Sequence, residues 1–207
     1  MRLELDVPGG VAWVDIDGVD GPQAPDLRAL LLLGHGAGGS VDAADLVAVR
    51  DAVVPTGVAV ARITQPYRVL GRRAPPPAAR LDEAWLAITA QVISRSEFAG
   101  LPVVHAGRSS GARVACRCAA AAGAAAVVAL AFPVHPPGRP EADRSDELLA
   151  VSCPLLVVQG RGDAFGQPPE ASFDGIDRVL AHVPGTHALT ADTAAVAAAV
   201  SDFLRRF

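Results

Sequence analysis

From Ala29 onward the chain alternates short, continuously apolar runs with segments of helical periodicity, and few architectures accept that alternation. Ala29–Leu33, Val58–Ile63, Pro102–Ala106, Ala125–Phe132, Pro154–Gln159 and Arg178–Val183 read as strands. Asp42–Val53, Arg80–Ser96, Ser110–Ala122 and Ala191–Phe207 read as helices; the second carries Leu81, Trp85, Ile88 and Val92 on one face. Strands that are apolar on both faces and joined through helices imply a parallel sheet with right-handed crossovers and helices on both sides. Ahead of it, the alternating segments Leu3–Val7 and Val11–Ile16, joined by Pro8-Gly9-Gly10, predict an antiparallel hairpin. The expected fold class is therefore α/β, a mostly parallel sheet of about seven or eight strands within a single domain, residues 1–207.

With 207 residues, 51% of them hydrophobic and 4% aromatic, the core must be filled by Ala, Val and Leu. All 18 basic residues are arginine. The absence of lysine excludes a phosphate-loop NTPase, a pyridoxal Schiff base and an SxxK acyl enzyme. A formal charge of −4 speaks against nucleic acid or an anionic membrane as principal partner. Three cysteines make no disulfide framework, and Cys116 and Cys118, two apart, point to different helix faces; buried thiols are expected, and no metal site. The start Met1-Arg2-Leu3-Glu4 lacks an apolar signal core, so a cytoplasmic, soluble protein is expected.

Four spots carry chemistry. Gly107-Arg108-Ser109-Ser110-Gly111 matches G-x-S-x-G between a predicted strand and a predicted helix, where a serine is lifted above the sheet edge. Gly34-His35-Gly36-Ala37-Gly38-Gly39 follows the Ala29–Leu33 strand and can turn amides inward. The same letters match the dinucleotide fingerprint G-x-G-x-x-G, but no Asp or Glu lies between Asp51 and Asp82; only Arg62 could serve an NADP phosphate. Asp163 stands just past the Pro154–Gln159 strand, where taken alone it reads as a turn residue. Of five histidines, only His187 lies on a loop beyond the last strand, and alone it reads as surface decoration. Together Ser109, Asp163 and His187 come in the order nucleophile, acid, base, each at the end of a separate strand, which is the order of an α/β-hydrolase.

The segments GHGAGG, GRSSGAR, LLVVQGRGD and VPGTH resemble the small, lidless α/β-hydrolases related to dienelactone hydrolase. Gln65-Pro66-Tyr67-Arg68 through Gly71-Arg72-Arg73-Ala74-Pro75-Pro76 further resembles the subgroup of testis-expressed hydrolase-like proteins and the hydrolase-like region of a chromatin NSL-complex subunit. The resemblance implies a serine hydrolase for small carboxylic esters or related acyl compounds, without cofactor. Ser109, His187 and Asp163 would form the triad, with Ala37 and Ser110 amides as the oxyanion hole. Dienelactone hydrolase itself uses a cysteine, so Ser109 speaks against that particular activity. Some members of the subgroup are scaffolds, so an inactive interaction module is the competing reading, with an NADP-dependent oxidoreductase third. Only about 20 residues separate Phe132 from Pro154, too few for a large lid. Arg68, Arg72, Arg73 and Arg108 are candidates to contact an acidic group of the substrate. Oligomeric state is left open.

Overall fold

A computed structural model describes residues 1–19, 26–136, 138–173 and 177–207. Pro137, inside the expected Pro133–Pro140 loop, lies outside the described residues. Strands β1 (Arg2–Val7) and β2 (Gly10–Asp17) form the expected hairpin. They are followed by β3 (Ala29–Gly34), β4 (Val58–Thr64), β5 (Val103–Arg108), β6 (Ala126–Leu130), β7 (Leu155–Gly160) and β8 (Arg178–Val183). All eight lie in one sheet, ordered β1-β2-β4-β3-β5-β6-β7-β8. Only β1/β2 and β2/β4 are antiparallel; the remaining pairs are parallel.

The helices are α1 (Ala44–Val53), α2 (Pro66–Val69), α3 (Ala78–Ile93), α4 (Ser110–Cys118), α5 (Ser145–Leu149) and α6 (Thr193–Leu204). Helices α1 and α6 cover one face of the sheet, where Leu31 and Leu33 point; α3 and α4 cover the other, with Leu30 and Leu32. All four leucines are fully buried, each contributing about 2 kcal/mol of apolar transfer. The short helices α2 and α5 escape sequence reading because neither is long enough to show a period. Helix α4 stops at Cys118, four residues before the expected Ala122, and Gly123 turns the chain at φ 62°. Helix α6 starts at Thr193 because Asp192 accepts the Ala195 amide at 2.9 Å. No helix among the described residues is long and apolar enough to cross a membrane.

The topology fixes where a site can form. From β3 the chain runs through α1 to β4 on one side, then through α3 to β5 on the other side of β3. The carboxyl ends of β3 and β5 therefore flank the point where the winding reverses, and a crevice opens there. Their register pairs Gly34 with Gly107, so the two glycine-rich turns leave the sheet side by side.

Below that edge, His105 of β5 is fully buried against α3, where Trp85 Nε1 donates to its Nδ1 at 3.1 Å. The ring proton then sits on Nε2, which has no partner among the described residues. Burial pushes the His105 pKa down to about 4. Between pH 6.5 and pH 4 the unfolded chain takes up a proton that the folded chain refuses, so stability falls with falling pH by about 3 kcal/mol across that window. Above pH 6.5 both states are neutral and the full stability is present. His105→Gln, which retains an acceptor for Trp85, removes this part of the acid slope; urea unfolding of both proteins at pH 7 and pH 4.5 measures it.

Candidate active site

Ser109 closes β5 and opens α4 with φ 54° and ψ −111°, a conformation that side-chain-bearing residues avoid. The turn is possible because its neighbours lack side chains. A Cβ on Gly107 would collide with the Gly111 backbone, and one on Gly111 would stand 2.7 Å from the Gly34 carbonyl oxygen. Strand, helix and glycine loop thus pack backbone on backbone, with Ser109 standing above them and the amino end of α4 beneath it.

The structure brings the three distant side chains into contact. His187 Nε2 lies 2.8 Å from Ser109 Oγ, and His187 Nδ1 lies 2.8 Å from Asp163 Oδ2. Asp163 is buried and held by others as well: the Phe165 amide donates to Oδ1 at 2.8 Å, and Gln159 Nε2 donates to Oδ2 at 2.9 Å. These donors hold the carboxylate in one orientation, with Oδ2 set to accept from Nδ1 of the imidazole, which leaves Nε2 to accept from the serine. Phe165 stacks on the His187 ring with centroids 4.1 Å apart. The His187 loop reaches this position because Gly160, at the end of β7, carries no Cβ; one there would stand 2.5 Å from the Thr186 carbonyl oxygen.

Gly36, Ala37, Ser109, Ser110, Phe165 and His187 line a cleft of about 620 Å³. Among the described residues no acceptor takes the Ala37 or the Ser110 amide. The glycine loop that carries Ala37 is pinned from the segment after β4. Tyr67 Oη donates to the Ala37 carbonyl at 2.6 Å, Arg68 Nε to the Gly39 carbonyl at 3.1 Å, and the Gln65 amide to His35 Nε2 at 3.1 Å. His35 Nδ1 returns a proton to the Gly36 carbonyl at 2.8 Å, and burial lowers its pKa, so it serves as a neutral strut.

Three of the four candidate arginines, Arg68, Arg72 and Arg73, do not line this cleft. Arg68 is engaged by the Gly39 and Arg72 carbonyls as a loop pin. Arg72 borders a separate apolar groove of about 450 Å³ between the β1–β2 turn, α2 and α3, and exposed Arg73 lines neither opening. Of the four candidates Arg108 lines the cleft, with its Nε 3.5 Å from the buried carboxylate of Asp45. Burial pushes the Asp45 carboxyl up and Arg108 opposes this. Arg62 is likewise taken, by Asp17 at 2.8 Å and Asp42 at 2.7 Å, which removes the only cation offered for an NADP phosphate. Cys116 and Cys118 are buried free thiols, and burial raises the pKa of both.

Several site residues are absent from the sequence reading. Gln159 had a signal, an amide within the otherwise apolar β7, and Asp45 had another, an acid on the apolar side of α1. Phe165, Arg113 and Arg144 had none, since their approach to Ser109 depends on how the loops fold.

A mostly parallel sheet whose winding reverses beside a serine-bearing turn, with a histidine and an acid delivered from later strand ends, defines an α/β-hydrolase. The chain belongs to the α/β hydrolase domain family, whose model matches residues 27–186. Among solved structures it is similar to XC6422 of Xanthomonas campestris, an α/β serine hydrolase without lid, at 25% identity over 100% of this chain and 94% of that one (TM-score 0.78). It is similar in fold to Est1E from Butyrivibrio proteoclasticus, at 19% identity over 99% of this chain and 98% of that one (TM-score 0.77). A dienelactone hydrolase from Anabaena variabilis matches at 19% identity over 100% of this chain and 97% of that one (TM-score 0.75). No curated protein matches the chain.

Proposed function

We propose that this single domain is a serine hydrolase for small carboxylic esters or related acyl compounds, working through Ser109, His187 and Asp163. The observation that carries the reading is the unbroken relay of two 2.8 Å contacts from Asp163 through His187 to Ser109. His187 Nε2 takes the serine proton as Oγ attacks the carbonyl carbon, and Asp163 stabilises the imidazolium that forms. The Ala37 and Ser110 amides receive the oxyanion, an interaction worth about 2.7–4 kcal/mol per donor in such sites. His187 then passes its proton to the leaving alcohol, and water, activated by the same ring, releases the acid. Helix α5 occupies the segment where a lid would be inserted, so the cleft stays open and suits small or flexible substrates. The Gln65–Pro76 segment favours the testis-expressed and NSL-subunit-like subgroup within the family, from which Ser110 departs by being smaller than the residue usual there. Free thiols at Cys116, Cys118 and Cys153 support a cytoplasmic setting.

A fluorophosphonate probe and a panel of 4-nitrophenyl esters and lactones test the reading. The folded protein is expected to be labelled on Ser109 and to turn over at least one ester, and Ser109→Ala to do neither. A folded protein that resists the probe is an interaction module on a hydrolase scaffold, and the catalytic reading is then wrong.

A further inference from the structure

Three arginines line the cleft around Ser109 — Arg108, Arg113 and Arg144 — and among the described residues no Asp or Glu does. In a chain with a formal charge of −4, that is a local reversal of sign. Two of the three are accounted for. Arg113 forks onto Glu147 through contacts of 2.8 and 2.5 Å, and Arg108 stands over Asp45. The Arg144 guanidinium has no hydrogen bond and no ion pair among the described residues.

The charge of Arg144 is also costly where it stands. Partial burial and the guanidinium groups of Arg113, Arg139 and Arg117 lower its pKa, and Glu147 offsets this only in part. Its backbone is nevertheless fixed: the amide donates to the Val134 carbonyl at 2.7 Å, and the carbonyl accepts the Glu147 amide at 3.0 Å. The acid next to it in sequence, Asp143, turns away and accepts from both the amide and the hydroxyl of Ser145 at 2.8 Å. An unpaired cation crowded by other guanidinium groups and carried on a fixed stretch of backbone inside a cleft is stabilised by an incoming anion, and guanidinium matches a carboxylate in two-point geometry.

We propose that Arg144 binds a carboxylate of the substrate, so that the preferred esters are half-esters or carboxylated esters rather than neutral ones. This rests on the hydrolase reading for its catalytic consequence, but the anion site stands on its own geometry. Arg144 is a specificity residue that acts mainly through KM.

Two matched pairs test it: 4-nitrophenyl butyrate against mono-4-nitrophenyl glutarate, with the charge on the acyl side, and phenyl acetate against 4-carboxyphenyl acetate, with the charge on the alcohol side. In at least one pair, Arg144→Gln is expected to lower the anionic-to-neutral ratio of kcat/KM by about 10- to 100-fold, the range of a charged hydrogen bond. Arg144→Lys is expected to restore part of the ratio, and Arg73→Gln to leave it unmoved. Turnover of these esters with both ratios indifferent to Arg144→Gln overturns the inference and leaves the hydrolase reading intact. If no ester is turned over, the hydrolase reading fails, and calorimetric titration with glutarate decides the site. Binding to the unaltered protein that Arg144→Gln abolishes supports an anion site; no such binding overturns it.

Discussion

Ser109→Ala and His187→Ala are each expected to lower kcat for an activated ester by about 10⁶, and Asp163→Ala by about 10⁴. The double variant Ser109→Ala/His187→Ala is expected to lose no more than either single one. Non-additivity is the informative part: the hydroxyl is useless without a base at Nε2, and the base is useless without the hydroxyl it contacts at 2.8 Å. Asp163→Ala costs less because imidazole remains a base without its carboxylate, although its tautomer is no longer imposed. It also leaves the Phe165 amide without its acceptor, about 1–3 kcal/mol of stability, whereas the Gln159 amide group keeps the Phe132 and Gly166 carbonyls. Steady-state kinetics with a 4-nitrophenyl ester, alongside urea unfolding of each variant, separates the two losses. Independent, additive effects at Ser109 and His187 would show that they do not act as a unit.

Gly111→Ala is expected to destabilise the fold by about 3–5 kcal/mol, although it adds a single methyl group. That methyl would lie 2.7 Å from the Gly34 carbonyl oxygen and 2.8 Å from the His35 carbonyl oxygen, both backbone atoms of the edge where β3 and β5 part. Neither can retreat without breaking the Gly34–Gly107 register that sets the crevice. Gly38→Ala is the matched contrast: it lies in the same glycine loop, a Cβ there meets nothing within 4 Å, and the expected change is within about 0.5 kcal/mol. Urea midpoints of the two variants decide the matter, and equal midpoints would contradict the close packing of the turn.

The inner strands β3 and β6 were legible because each is a continuous apolar run, and burial on both faces leaves no room for another pattern; the hairpin strands were legible from their alternation. The serine turn was legible because its geometry demands glycines at fixed offsets, and such a demand is written locally. His187 and Asp163 could be ranked by position along the chain, yet neither is distinguishable in its own neighbourhood from a surface histidine or a turn aspartate. The arginines show the opposite case. Arg68 and Arg72 lie nearest the Pro/Tyr segment in sequence, but one pins a loop and the other borders a different groove.

The amino-acid order alone therefore determines the sheet, the direction of its parallel strands and the one position where a serine must be strained, because these follow from periodicity and from steric limits within a few residues. Which charge goes unpaired beside that serine was decided only in three dimensions. The partners of Arg62, Arg108 and Arg113 lie 20 or more residues away in the chain, and pairing at such distances is set by how loops and helices pack.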